Sequence, residues 1–363
     1  MPINQLYDTL RVQMKQLRPN ERVTRLRNMI WIMIGILHSR SVHVSRVAIY
    51  IPGSAGLASS TRRLSRFLDN PAVQVRAWYA PLARSWLAYV GRTTGAIRLI
   101  IDGTQVGRHH QLLMVSVAWR RRAIPIAWTW VRAVKGHSGT HKQQALLAYV
   151  SSLIPAHTAI CLVGDTEFET VDLMRQLETW GWGYVLRQRA STQVDCAGIW
   201  QPFGTLLTQP GQSRWLAQAR LTCKYAYATH LLAYWRLGET EPWLLATNLP
   251  SAQLAVKAYR TRMWIEEMFG DLKAHGFDLE SSRLTSFLRL SRLTLAVALV
   301  YVWMMATASR VIKNSWRVQV DRPDRRDLSL FQIGLRFIER LLANAHCLSV
   351  TFVPGFSAKL SGS

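Results

Sequence analysis

The sequence predicts an α/β chain: a mixed sheet with helices on both faces, preceded by a helical N-terminal region and carrying a β-strand insertion. Three observations predict it. Apolar residues recur at helical spacing through residues 1–90. From Ile97 to Gln188, short apolar runs bounded by turn residues alternate with helix-period stretches. Two of those runs end in an aspartate beside a glycine, at Asp102-Gly103 and Gly164-Asp165.

The elements follow in order. Val23 to Ser39 places Leu26, Met29, Ile30, Met33, Ile34 and Leu37 at helical spacing. After a Pro-Gly-Ser turn at 52–54, Ser60 to Leu68 reads as a short basic helix, with Leu64, Phe67 and Leu68 on one side and Arg62, Arg63 and Arg66 free for solvent or DNA. Ile97 to Ile101 is a strand ending at Asp102. Leu112 to Trp119 and Ala123 to Val131 complete a meander through the basic turn at Arg120 to Arg122. A helix at Gly139 to Leu153, a strand at Thr158 to Gly164, a helix at Thr170 to Trp180 and a strand at Gly183 to Gln188 come next. Three strands, helix, strand, helix, strand is the order of a ribonuclease-H-like core, whose sites form at the carboxyl ends of strands. Residues 190–240 read as a strand-rich insertion, and Trp243 to Thr247 as a strand returning to the sheet. A long helix from about Gln253 to His275, an apolar helix from about Thr285 to Ile312 and a shorter one near Leu330 to Ala343 close the chain. The expected domains are residues 1–90 (helical, DNA-binding), 91–312 (catalytic, with the insertion) and 313–363 (helical).

Composition narrows the partner. Lys and Arg number 45 against 21 Asp and Glu, a net charge of +24, in a chain that is 49% apolar and therefore able to bury a core. A folded chain with that excess pairs with a polyanion, and nucleic acid comes before an anionic membrane surface. The basic residues are spread from Arg18 to Arg326, which suits a broad DNA-binding surface rather than a tail. The uncharged stretch from Leu293 to Ser309 is read as a core helix, and no membrane span and no secretion signal are expected, so the protein is placed in the cytoplasm. Four widely spaced cysteines form no CxxC pair and are read as reduced core residues.

The long helix carries the most specific pattern. Tyr259, Arg262, Glu266 and Lys273 stand at offsets of three, seven and fourteen from the tyrosine. At about 100° per residue they share roughly 60° of the helical wheel. Glu267 lies about 100° away from Glu266 on the wheel, which favours Glu266. Asp102 and Asp165 at strand ends, with Glu266 on a later helix, make a set of three carboxylates suited to hard divalent cations. Two Mg²⁺ ions, with Mn²⁺ as substitute, are the expected cofactors, and Arg262, Lys273 and Tyr259 supply groups for DNA phosphates. Glu167 competes with Asp165 for the second place.

At these residues the chain resembles the IS-four family of bacterial insertion-sequence transposases, known by a Y-(2)-R-(3)-E-(6)-K signature. Tyr259, Arg262, Glu266 and Lys273 match that spacing without a gap. Residues 262–273 and Glu241 to Pro250 resemble the branch typified by the transposon-ten transposase, and the basic helix at Arg62 to Leu68 does so more weakly. The resemblance implies a ribonuclease-H-like fold and a metal-binding catalytic triad of Asp102, Asp165 and Glu266. It also implies contacts from Tyr259, Arg262 and Lys273 to double-stranded DNA, and cut-and-paste transposition through nicking, a hairpin and strand transfer by a homodimer on paired ends. Hairpin formation calls for an aromatic side chain to hold an unstacked base, and Trp215 and Trp235 are candidates. The competing reading is a transposase-derived protein that binds DNA without cutting it.

Overall fold

Five helices come first: α1 (Pro2–Leu17), α2 (Val23–Ser39), α3 (Val44–Ala48), α4 (Leu57–Asp69) and α5 (Val75–Thr94). The strands and later helices are β1 (Ala96–Val106), β2 (His110–Trp119), β3 (Arg122–Arg132), α6 (Thr140–Ser151), β4 (Ala159–Gly164), α7 (Val171–Thr179) and β5 (Gly183–Arg187). The insertion adds β6 (Gln193–Cys196), β7 (Ile199–Pro202), β8 (Ser213–Leu221) and β9 (Tyr227–Tyr234) before β10 (Trp243–Thr247). Then come α8 (Ala252–Tyr259), α9 (Met263–Leu272), α10 (Phe287–Lys313) and α11 (Leu330–Ala343). The structure, a computed structural model, describes residues 2–107, 110–132, 138–346 and 348–354. They form two units: residues 1–86 with 268–363, and residues 87–267.

The unit of residues 87–267 is built on one ten-stranded sheet, in the order β3-β2-β1-β4-β5-β10-β9-β8-β6-β7. β1, β2 and β3 are an antiparallel meander, while β4 runs parallel to β1 and β5 parallel to β4. With α6 between β3 and β4 and α7 between β4 and β5, this is the ribonuclease-H-like arrangement expected from the element order. β10 returns antiparallel to β5 and carries the insertion strands outward. Against this sheet, Ala255, Ala258 and Tyr259 of α8 pack on Val163, Val185, Leu232 and Leu245, and all seven residues are buried.

Three details differ from the sequence reading. β1 does not stop before Asp102 but runs on to Val106, because its antiparallel ladder with β2 continues to Val106↔His110 after the parallel ladder with β4 has ended at Ile101↔Gly164. The expected single helix from Gln253 to His275 is broken. α8 gives way to a 3₁₀ turn at Arg260–Arg262 before α9 begins. Thr261 explains the break, since its buried hydroxyl donates to the Ala258 carbonyl at 2.7 Å and competes with the helical ladder. Finally, Cys223 is exposed and Cys196 half-buried, so these free thiols are not core residues, whereas Cys161 is a half-buried free thiol packed against the core beneath α8. Cys347 lies outside the described residues.

In the other unit, α10 is the central helix. It is long and apolar enough by composition to cross a membrane, yet every residue from Leu293 to Ser309 is buried within the protein. Its one buried arginine, Arg292, donates from Nη1 to the Leu68 carbonyl at 2.8 Å and from Nε to the Val73 carbonyl at 3.0 Å, which satisfies one backbone group in the last turn of α4 and one past its end. α11 lies so close to α10 that a Cβ on Gly334 would stand 2.1 Å from the Met304 carbonyl oxygen. Gly334→Ala should therefore destabilise the protein by about 1–3 kcal/mol, the usual cost of overpacking. Urea denaturation checks this, and an unchanged midpoint would reject the close crossing.

Candidate active site

The parallel ladder between β1 and β4 ends at Ile101↔Gly164, and on each strand the next residue is an aspartate. Neighbouring strands lie about 4.8 Å apart, so the register alone brings Asp102 and Asp165 side by side. Each is fixed locally. Asp102 Oδ1 accepts the Gly103 amide at 2.7 Å, and Asp165 Oδ1 accepts the Thr166 amide at 2.8 Å, capping the short 3₁₀ turn Thr166–Phe168.

The third carboxylate arrives on α9, and one guanidinium joins all three. Arg262 Nη1 lies 3.3 Å from Asp102 Oδ2 and 3.5 Å from Asp165 Oδ2, while Nη2 lies 2.5 Å from Glu266 Oε1. The side chains open outward in sequence: Arg262 is 10% exposed, Asp102 13%, Asp165 29% and Glu266 43%. Burial pushes the Asp102 carboxyl up to about 7. Arg262 and the Gly103 amide pull the other way, while Asp165 and Glu266 add to the rise. Burial disfavours charge on Arg262 too, but Tyr259 and the three acids around it more than offset that and hold its proton more firmly than usual. Among the described residues no group of three His, Cys, Asp or Glu side chains is spaced to hold a metal ion directly. The carboxylates are instead arranged around the guanidinium.

Tyr259 stands beside this cluster but is buried, 3% exposed, with its ring edge against Trp243 at 5.0 Å and its hydroxyl without a hydrogen-bond partner. Burial first, then the Asp165 charge, raises its phenol well above the ordinary range. Glu267, the alternative to Glu266, points away to Arg122 at 3.5 Å with most of its side chain exposed. Glu167, the alternative to Asp165, is held elsewhere. Its carboxylate accepts from Gln111 Nε2 at 2.9 and 3.0 Å and from the Ser138 amide at 2.7 Å. That buried network also explains Gly103, where a Cβ would lie 2.1 Å from Gln111 Nε2 and 3.0 Å from Glu167 Oε2.

One residue beside the acids escaped the sequence reading. Arg187, at the carboxyl end of β5, lies 4.0 Å from Asp165 Oδ1 and 3.0 Å from the exposed Glu241 carboxylate. Its signal was a charge directly after the apolar Tyr184-Val185-Leu186 run, the same strand-end logic that picked out the aspartates. Lys273 and the predicted arginines of α4 lie in the other unit. Lys273 follows the last residue of α9 and pairs with Glu280 at 2.9 Å. On α4, Arg62 and Arg66 are exposed. Arg63 is half-buried with an unpartnered Nε, and burial, then the charge of Arg27, weakens its hold on its proton. In the insertion, half-buried Trp215 stacks on His230 at 5.1 Å, and Trp235 donates from Nε1 to the Glu239 carbonyl at 3.0 Å.

Comparison with known proteins adds the family. None of the curated proteins matches the chain. Among solved structures it is similar to a cryo-EM structure of the piggyBac transposase synaptic complex with hairpin DNA, at 10% identity and a TM-score of 0.42, over 99% of this chain and 84% of that one. Residues 93–303 match the family described as transposase DDE domain, a range that holds Asp102, Asp165, Arg262 and Glu266. That match covers more than half of the 363 residues, and the chain therefore belongs to the transposase DDE-domain family: it is a DNA transposase, a metal-dependent enzyme that cleaves DNA.

Proposed function

We propose that Asp102, Asp165 and Glu266 are the catalytic, metal-binding acids of a cut-and-paste transposase of the IS-four family. The convergence of these three carboxylates on a single cation, where the β1–β4 ladder ends, carries the proposal. The Y-R-E-K spacing from Tyr259 to Lys273 supports the family branch. As a donor set the acids fit Mg²⁺ or Mn²⁺, since carboxylate oxygens are hard ligands and already gather around positive charge. Bound to these three acids, such ions would supply Lewis-acid activation of the attacking oxygen and stabilisation of the leaving one.

The chain's own residues divide the rest of the work. Asp102, the most buried acid, is pinned by its own strand and the Gly103 amide and sets the fixed point of the site. Asp165 is held by the turn it caps, and Glu266, the most exposed, sits in the first turn of α9 with room to adjust. Arg187 faces the acids with its Glu241 partner largely in solvent, an exposed pair that a phosphate replaces at little cost. Lys273 contacts DNA near the cut, and Arg262 does so once a phosphate draws it from the acids. Tyr259, with its buried hydroxyl, supports them from beneath in place of the expected DNA contact. Arg62, Arg63 and Arg66 of α4 hold the transposon end. Water nicks one strand, the freed 3′-hydroxyl attacks the other to make a hairpin, and the reopened 3′-ends join target DNA. Residues 1–90 serve as the DNA-binding domain, 91–312 as the catalytic domain and 313–363 as a helical extension. The active form is a homodimer on paired ends, acting on chromosomal DNA in the cytoplasm.

A labelled duplex carrying the element's terminal repeat, incubated with Mg²⁺, Mn²⁺ or chelator, tests the reaction. Wild type should give a metal-dependent nick and then a hairpin, and Asp102→Ala should give neither. Binding without any metal-dependent cut would establish the non-cleaving alternative instead. Glu266→Gln should lower the cleavage rate by about a thousandfold or more, the scale of losing one member of a group that acts as a unit, while end binding stays near wild type. Normal cleavage by that variant would remove Glu266 from the triad. Arg63→Ala should lessen the slope of log affinity against log salt by about 0.9, the value for one lost phosphate contact, and an unchanged slope would exclude that contact.

A further inference from the structure

Three carboxylates already share one arginine, and this constrains how a metal can reach them. The contacts of 3.3, 3.5 and 2.5 Å use both terminal nitrogens of Arg262 and one oxygen from each acid. A guanidinium does not give up its proton in proteins, so its charge cannot be switched off in place. A divalent ion placed among the same oxygens would meet a fixed like charge within a few ångströms, in a buried site where screening is weak. Metal and guanidinium therefore compete for the same oxygens.

The local backbone is suited to an exchange. Arg262 closes the 3₁₀ turn between α8 and α9, so its side chain leaves from a break in the helical ladder rather than from a helix interior. Its Glu266 partner is nearly half exposed while the guanidinium itself is only 10% exposed, so Glu266 marks the side on which Arg262 can leave. Removing the guanidinium without supplying another cation would leave Asp102, Asp165 and Glu266 facing one another unpaired, a costly arrangement for groups as buried as Asp102.

We infer that Arg262 is the internal counter-ion of the acid cluster, competing with divalent metal for the same three carboxylates, and that a DNA phosphate helps metal to load by taking the displaced guanidinium. The inference rests on the reading of Asp102, Asp165 and Glu266 as metal ligands. It makes metal and DNA binding reciprocal: each ligand strengthens the other, because both favour the state in which Arg262 has left the acids.

Calorimetric titration of Mn²⁺ into the full-length chain, without DNA, is the direct test. Arg262→Gln should bind Mn²⁺ about tenfold or more tightly than wild type, within the usual range of coupling between competing ligands. Its metal-free melting temperature should fall, and Mn²⁺ should raise it by more than in wild type. Arg262→Lys keeps the charge and should stay close to wild type. Equal or weaker Mn²⁺ binding by a folded Arg262→Gln chain would overturn the inference while leaving the acids as metal ligands. Absence of Mn²⁺ binding to every chain would overturn it together with the reading on which it rests.

Modification of wild-type Arg262 by phenylglyoxal, read by peptide mass spectrometry, settles the matter even where the glutamine variant does not fold. Arg262 should be protected without metal and become reactive with Mn²⁺, and a reactivity that saturating Mn²⁺ leaves unchanged would overturn the inference. For the DNA arm, anisotropy of a labelled random-sequence duplex should show Mn²⁺ tightening binding in wild type by a factor that shrinks in Arg262→Gln. An equal factor in both chains would overturn the role of the phosphate.

Discussion

The ion pairs between the Arg262 guanidinium and the carboxylates of Asp102, Asp165 and Glu266 are the interaction on which the catalytic unit depends. Without a cation between them, three acids drawn from a strand, a turn and a helix would repel one another across a partly dry space. With one, they become the link between the sheet and α9. The rise of the Asp102 carboxyl toward neutrality shows that the balance is close even so, since burial still outweighs the attraction of Arg262.

The order of the core was legible because each core strand carries its own short apolar run and each run ends at a turn. The two aspartates were legible for the same reason, as charges placed directly after buried runs. The reading misjudged where β1 ends, because strand length is set by pairing. Residues 103–106 lack a continuous apolar run and are held by the partner strand β2. The break at Arg260–Arg262 was hidden by a regular helical period. What interrupts it is a single threonine hydroxyl turned back on the main chain, an event that residue spacing does not report.

Spacing also ranked Glu266 over Glu267, and the two side chains do part company in space, one toward Arg262 and the other toward Arg122. What spacing did not convey was burial. Tyr259 and Arg262 read as a polar helix face available to DNA, whereas the phenol is packed against Trp243 and the guanidinium is surrounded by acids. The Gln111–Glu167–Ser138 network was equally invisible, because its members lie on β2, on the turn after Asp165 and just before α6, and only the folded sheet assembles them. Polar groups that meet through tertiary structure leave no period in the sequence.

The path of the chain through β5 and β10 has an architectural consequence. The excursion from Ser191 to Pro242 leaves from β5 and comes back to β5's own free edge through β10, so that its strands grow the sheet away from Asp102 and Asp165. Length added or lost at β6 to β9 therefore changes the far margin of the sheet without shifting the β1–β4 register that sets the two aspartates side by side. Such a fold keeps its chemistry on one flank and leaves the other open to remodelling, so chains of this type can diverge in size and in what they grip while the cutting apparatus stays as it is.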